Sequence, residues 1–250
     1  MNCNKLKLGW FSTSRGGTSL KIFKYIQNLI EKNELNVEIK FVFINRDLGE
    51  GENSDKFIRY ILKKRIPLIT FSSKKYLPVL KQKNISLWRK KFDSEVYKLI
   101  KDFDVEIILL AGYMLILDKN LCEKRLFINL HPALPWGPKG KWDEVINQII
   151  LEKQKEHGVM IHLVTKDLDR GPVVTYVRYP IKKYDFKKIR AEGVKYELPL
   201  IRETLKLLSE DKLKIKNNCC KDKKNIDKNV YFKNKLLYNG YEINIKNLMR

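Results

Sequence analysis

Cysteine is scarce and poorly placed for chemistry. The 250 residues hold four, Cys3, Cys122, Cys219 and Cys220, with no CxxC or Cys/His spacing that would suit zinc. The adjacent pair makes a poor disulfide framework, so reduced structural thiols are expected and no metal is called for. Long apolar runs are also missing: no stretch of about 18 residues could span a bilayer. Met1 to Leu8 carries polar and basic residues where a signal peptide would carry an apolar core, so the expected setting is the cytoplasm, with no membrane partner. Internal repeats are absent too.

What is abundant is positive charge. Lys and Arg number 51 against 29 Asp and Glu, a net charge of +22, and such an excess raises the question of nucleic acid. The lysines, however, are scattered among many Asn and Ile, the pattern of a compositional bias. A positive field also gathers anionic small molecules. Small-molecule substrates are therefore the expected partners, and the basic tail is where a nucleic acid would find footing. The oligomeric state is not readable.

Strands and helices alternate along most of the chain. Leu6 to Ser12 is a short apolar run ending in a polar Gly loop, Ser12-Thr13-Ser14-Arg15-Gly16-Gly17-Thr18-Ser19. Leu20, Phe23, Ile26 and Ile30 then recur near helical spacing. Residues 37–44 and 66–71 read as strands around a helix over 54–64. A helix over 88–103, with Phe92, Val96, Leu99 and Ile100 on one face, leads into the apolar strand 105–111. Residues 127–130 form a further strand that delivers His131 to a Pro-rich loop. Residues 159–165 and 173–179 form a turn-joined pair, and 198–208 a last helix. This order predicts an α/β fold, a mostly parallel sheet flanked by helices. After Glu210 the composition turns to Lys and Asn, and a loosely ordered extension is expected, with a short hairpin around Tyr238-Asn239-Gly240-Tyr241.

Asn129 and His131, one residue apart in an extended segment, share a face of the strand end. An amide there can donate to a developing oxyanion, and an imidazole can relay a proton near neutral pH. Asp169, on the Gly-Pro turn 166–172, is placed to orient the ring and favour its charged form. An Asn-x-His pair also serves to anchor loops, and an Asp in such a turn also serves simply to make it.

Four segments in order decide between these readings. They are the Gly loop from Ser12 to Leu20, Leu110-Ala111-Gly112-Tyr113-Met114-Leu115-Ile116-Leu117, Ile128-Asn129-Leu130-His131-Pro132-Ala133-Leu134-Pro135, and Gly158-Val159-Met160-Ile161-His162-Leu163-Val164 continuing to Leu168-Asp169-Arg170-Gly171-Pro172. Together they resemble the formyltransferase fold of the glycinamide ribonucleotide transformylase (phosphoribosylglycinamide formyltransferase) family over roughly residues 6–208. The resemblance implies a Rossmann-like formyltransferase domain over 1–210, with 211–250 as a Lys/Asn-rich C-terminal extension. It implies formyl transfer from the co-substrate 10-formyltetrahydrofolate to the amine of glycinamide ribonucleotide in purine biosynthesis, without a metal. Asn129 would hold the formyl oxygen, His131 would stabilise that charge or shuttle the amine proton, and Asp169 would hold His131.

By the same resemblance Leu115, Ile116 and Leu117 would cradle the pterin, and Gly17, Thr18 and Ser19 would receive the ribonucleotide phosphate at a helix start. His162 also falls on a family position but reads as a core histidine, and His157 reads as a surface one. Arg190 and Glu197 fall where the family recognises glycinamide, through an alignment that slips locally, and neither is taken as a site residue. The chain departs from the pattern in the shorter loop carrying Trp136, in Leu115 where the family often has Arg, and in Arg15 beside rearranged glycines. Substrate choice is therefore less firmly read than reaction type. The alternatives are another formyl acceptor such as methionyl-tRNA or an amino sugar, formyltetrahydrofolate hydrolysis, or a non-catalytic nucleotide- or RNA-binding protein. A tail of about 40 residues is short for a tRNA-binding barrel.

Overall fold

The computed structural model describes residues 4–165, 167–218 and 227–248. The chain divides into two units, Met1–Ile128 and Asn129–Arg250.

The first unit is a parallel sheet of four strands, β1 (Leu6–Ser12), β2 (Val37–Ile44), β3 (Leu68–Thr70) and β4 (Ile107–Leu110), in the order β4-β1-β2-β3. Their helices are α1 (Gly17–Glu31), α2 (Glu52–Lys63), α3 (Pro78–Lys83), α4 (Ile85–Ile100) and α5 (Lys119–Lys124). Aromatic rings make up much of the core. Phe11 lies 4.5 Å from Phe43 and 5.5 Å from Phe127, ring centre to ring centre, and Trp10 meets Phe23 of α1 edge-on at 5.0 Å. Gly9 is required there, since a Cβ would stand 2.9 Å from the Phe41 ring. The strands fall where apolar runs place them. Helix α4 begins three residues before the expected start because the Asn84 side chain accepts from Leu87 N–H and caps it. The six-residue helices α3 and α5 are too short to show a period.

Strand β5 (Phe127–His131) carries the chain into the second unit. There β6 (Glu156–Leu163) and β7 (Val173–Pro180) pair antiparallel, as the turn-joined reading expects. Helix α6 (Trp142–Leu151) buries Val145, Ile146 and Ile149 against Ala133 and Ile189. Helix α7 (Phe186–Ser209) is twelve residues longer at its start than expected: Asp185 caps it by accepting from Lys188 N–H, and Pro199 lies inside it.

The tail departs most from expectation. Strands β8 (Leu213–Asn218), β9 (Asp227–Phe232) and β10 (Lys235–Leu237) form a second, antiparallel sheet, so the described part of the tail is built structure. Its tight hairpin turns at Lys233-Asn234, with φ of 46° and 65°, and not at Asn239-Gly240. Gly240, at φ +76°, instead redirects the chain into β11 (Tyr241–Glu242), which runs parallel to β7 at Thr175 and Tyr176. Helix α8 (Ile245–Leu248) follows, and Leu213, Val230, Ile243 and Leu248 are buried. Cys122 is buried on α5, while the readings for Cys3, Cys219 and Cys220 lie outside the described residues. No described helix is long and apolar enough to cross a membrane.

Candidate active site

The second unit gathers Asn129, His131, His162 and Asp169. Asn129 and His131 come from the end of β5, whose alternation turns both to one side. His162 comes from β6 at a register shift: Ile161 faces Thr175, but His162 faces Val173. A bulge of this kind re-aims a side chain beside a site. Asp169 sits in the left-handed region at φ +53°, on a turn that Leu163 N–H closes by donating to Pro172 O. Gly171 admits that closure, because a Cβ would overlap Leu163 O at 1.8 Å.

Hydrogen bonds fix the protons. A carbonyl can only accept, so His162 donates from Nδ1 to Leu163 O at 2.9 Å, and its other ring nitrogen, Nε2, accepts from Asn129 Nδ2 at 3.2 Å. By the same reasoning His131 donates from Nε2 to Pro138 O at 3.4 Å, which leaves Nδ1, 3.7 Å from Asp169 Oδ2, to take a proton. Asp169 Oδ1 lies 3.5 Å from His162 Nε2, and Gly140 N–H donates to Asp169 Oδ2 at 3.2 Å. His131 and His162 are both buried, at 3% and 2% exposure.

Burial pulls the His131 imidazole below its ordinary range; Asp169 pushes back upward, His162 lowers it further, and the Pro138 carbonyl raises it. Burial opposes ionisation of Asp169, yet its imidazole neighbours and the Gly140 N–H bond outweigh it and hold the carboxyl below its usual value. The arrangement is a neutral base, a fixed anion beside it, and an amide donor locked by a second ring.

His162 is a buried, hydrogen-bonded histidine, as its sequence reading expects, and it also lies in the cluster. Its apolar strand concealed its place there; the sequence signals were its match to a family position and a polar ring that must find buried partners. His157 is buried at 3% exposure and not at the surface, edge-on to Tyr179 at 5.5 Å. Burial pushes its imidazole down to about 4, helped by the His131 and Arg190 charges. Arg190 and Glu197 form an ion pair at 2.5 Å, with the guanidinium 5.0 Å over the Trp142 ring.

The first unit holds the other expected residues. Gly17, Thr18 and Ser19 open α1, whose first turn has no side-chain cap and no acidic residue, leaving N–H groups suited to an anion. Gly112, at φ +72°, allows the segment after β4 to lie against this turn: a Cβ there would stand 2.4 Å from Ser19 Oγ. Met114 N–H donates to Thr13 Oγ1 at 2.8 Å. Beyond it, the main-chain groups of Leu115, Ile116 and Leu117 have no hydrogen-bond partner among the described residues. Ile116 is 39% exposed while Leu117 is buried. Free main-chain donors and acceptors beside exposed apolar side chains fit a flat heterocycle with a polar edge.

A family model described as formyl transferase matches residues 16–196. The phosphoribosylglycinamide formyltransferase of Dictyostelium discoideum is 32% identical over 207 residues, covering 78% of this chain and 95% of that protein. The solved phosphoribosylglycinamide formyltransferase of Coxiella burnetii superposes with a TM-score of 0.74 at 25% identity, covering 96% of this chain and 99% of that one. The methionyl-tRNA formyltransferase of Pelagibacter ubique is 31% identical over 134 residues, 50% of this chain and 41% of that protein. The chain belongs to the formyl transferase family.

Proposed function

We propose that the protein is a folate-dependent phosphoribosylglycinamide formyltransferase of the cytoplasm, moving the formyl group of 10-formyltetrahydrofolate to the amine of glycinamide ribonucleotide. The observation that carries the reading is the convergence of Asn129, His131 and Asp169 in one buried cluster. The likeness to the Dictyostelium and Coxiella enzymes, over nearly their whole lengths, supports the choice of acceptor.

The bound folate supplies the formyl group, and this chain's residues do the rest. Asn129 donates from Nδ2 to the formyl oxygen as negative charge builds there, with His162 holding the amide in place. His131, neutral because it is buried, takes the proton that the attacking amine sheds and returns it to the departing nitrogen. Asp169 stabilises the imidazolium in between. Leu115, Ile116 and Leu117 present main-chain groups to the pterin edge, and Gly17, Thr18 and Ser19 present N–H groups to the ribonucleotide phosphate.

A steady-state assay with 10-formyltetrahydrofolate tests this, comparing glycinamide ribonucleotide, initiator methionyl-tRNA, an amino-sugar nucleotide and no acceptor. Turnover with glycinamide ribonucleotide alone is expected. Turnover with another acceptor would keep the chemistry and move the substrate, and equal folate cleavage without acceptor would mean hydrolysis.

A further inference from the structure

The segment between β4 and α5 is pinned at two points. At its start Thr13 N–H donates to Gly112 O at 3.1 Å and Met114 N–H donates to Thr13 Oγ1. At its end Asp118 N–H donates to the Asp93 carboxylate of α4 at 2.5 Å. Between the pins lie the peptides of Leu115, Ile116 and Leu117, which have no hydrogen-bond partner among the described residues. Asp93 is 2% exposed, on the face of α4 that otherwise buries Trp88, Phe92, Val96 and Ile100. A buried carboxylate on an otherwise apolar helix face carries a desolvation cost that a merely structural position would avoid with an apolar residue.

We propose that Asp93 is a positioning residue for the folate-binding edge: by accepting from Asp118 N–H it fixes the far end of the Leu115–Leu117 peptides and so sets affinity for the folate co-substrate. This rests on the proposed role of those peptides. It goes further in assigning a function to a side chain that touches neither substrate.

The surroundings make the pin responsive to pH. Burial raises the Asp93 carboxyl to about 7; the Asp118 N–H bond lowers it, the Asp118 charge raises it, and Arg89, one turn back on α4, lowers it. Lys90 and Tyr97 of α4, Asp118, and Lys124 of α5 line the adjoining cavity, and the Asp93 charge also reaches the buried Tyr113 phenol, whose oxygen has no partner among the described residues. An ionised carboxylate makes about twice as strong a hydrogen bond as a neutral acceptor. The pin is therefore firm above pH 7 and slackens below it.

The test measures tetrahydrofolate binding and steady-state kinetics of the full chain from pH 6 to 8.5 for the wild type, Asp93→Asn and Asp93→Ala. At pH 8 Asp93→Ala should raise the tetrahydrofolate Kd and the KM for 10-formyltetrahydrofolate about tenfold. The KM for glycinamide ribonucleotide and kcat should stay within about twofold. Asp93→Asn, which keeps an acceptor oxygen without the charge, should fall between them at pH 8 and converge on the wild type at pH 6. Parallel pH profiles for the wild type and Asp93→Asn would overturn the proposal even if Asp93→Ala failed to fold, and so would an unchanged Kd in a folded Asp93→Ala. Ile116→Asp separates the two levels. If it abolishes tetrahydrofolate binding while the Asp93 variants bind normally, the Asp93 inference alone fails; if it binds normally, the folate role of the segment fails first.

Discussion

Asn129 Nδ2 stands 3.2 Å from Nε2 of His162, and that ring is itself held by the bond from its Nδ1 to Leu163 O. The amide is thus oriented before any substrate arrives, and preorganised donors are what make oxyanion stabilisation effective. Asn129→Ala should lower kcat by about 10² to 10³-fold. His162→Ala should lower it about tenfold, with little change in either KM, because it frees the amide to rotate without removing it. The two act through one donor, so the double variant should be no slower than Asn129→Ala alone, which a double-mutant cycle on kcat measures.

In the proposed mechanism His131 and Asp169 set a pH limit on the chemistry. The imidazole is held below its ordinary 6.5, so the neutral base persists into mild acid and the acid limb of kcat should fall below pH 6.5. Asp169 raises that value by its charge. Asp169→Asn should accordingly move the limb to still lower pH while cutting kcat about 10² to 10⁴-fold, as expected when an imidazolium loses its counter-ion. A kcat profile from pH 5 to 9 on both proteins checks the direction; a limb that moves upward would contradict the pairing.

The first unit and the β5 residues were legible because they obey local rules. A short apolar run such as Ile107–Leu110, too brief for a buried helix, reads as a buried strand, and one-residue spacing puts Asn129 and His131 on one side of an extended segment whatever surrounds it. His162 was not legible, since its role depends on a bulge and on a neighbouring strand end. The first half of α7 was less legible because Gly193 interrupts it and Pro199 suits the first turn of a helix, which favours a start near Leu198. In the tail the alternation of Leu213 and Ile215 with Lys214 and Lys216 is a strand pattern, but it lies within a Lys/Asn-rich background that reads as disorder.

His157 couples folding to acid. Its folded value of about 4 lies below the ordinary 6.5, so as pH falls from 6.5 to 4 the unfolded chain takes up a proton that the folded chain refuses. The stability it contributes is complete above pH 6.5 and lost across that window, by on the order of 3 kcal/mol. His157→Phe keeps an aromatic ring against Tyr179 and cannot titrate. Urea unfolding at pH 7 and pH 4.5 should show the variant losing less stability than the wild type, by about that amount.

Gly112 links the two sites expected in the first unit. Alanine there would face both a left-handed backbone at φ +72° and Ser19 Oγ at 2.4 Å. Gly112→Ala should cost about 1–3 kcal/mol in stability and raise the KM for glycinamide ribonucleotide by displacing the first turn of α1. Thermal unfolding and kinetics together check it; loss of stability with an unchanged KM would detach Ser19 from phosphate binding.

Removing residues 211–250 distinguishes an accessory basic arm from a structural part of the second unit. An arm would leave stability unchanged, and only nucleic-acid binding would fall. The geometry argues for the other outcome. Ile243 N–H donates to Tyr176 O, Arg202 donates to Leu248 O at 3.1 Å, and Glu242 accepts from Tyr176 Oη and Arg178. Leu213, Val230, Ile243 and Leu248 are each under 10% exposed, and a buried aliphatic side chain contributes about 1.5–3 kcal/mol. Their combined loss is comparable with the whole margin of a typical domain, about 5–15 kcal/mol. The truncated chain should therefore unfold at a Tm lower by roughly 10 °C or more, and lose formyl transfer with it. A truncated protein of unchanged Tm and full turnover would return the tail to the role of an arm.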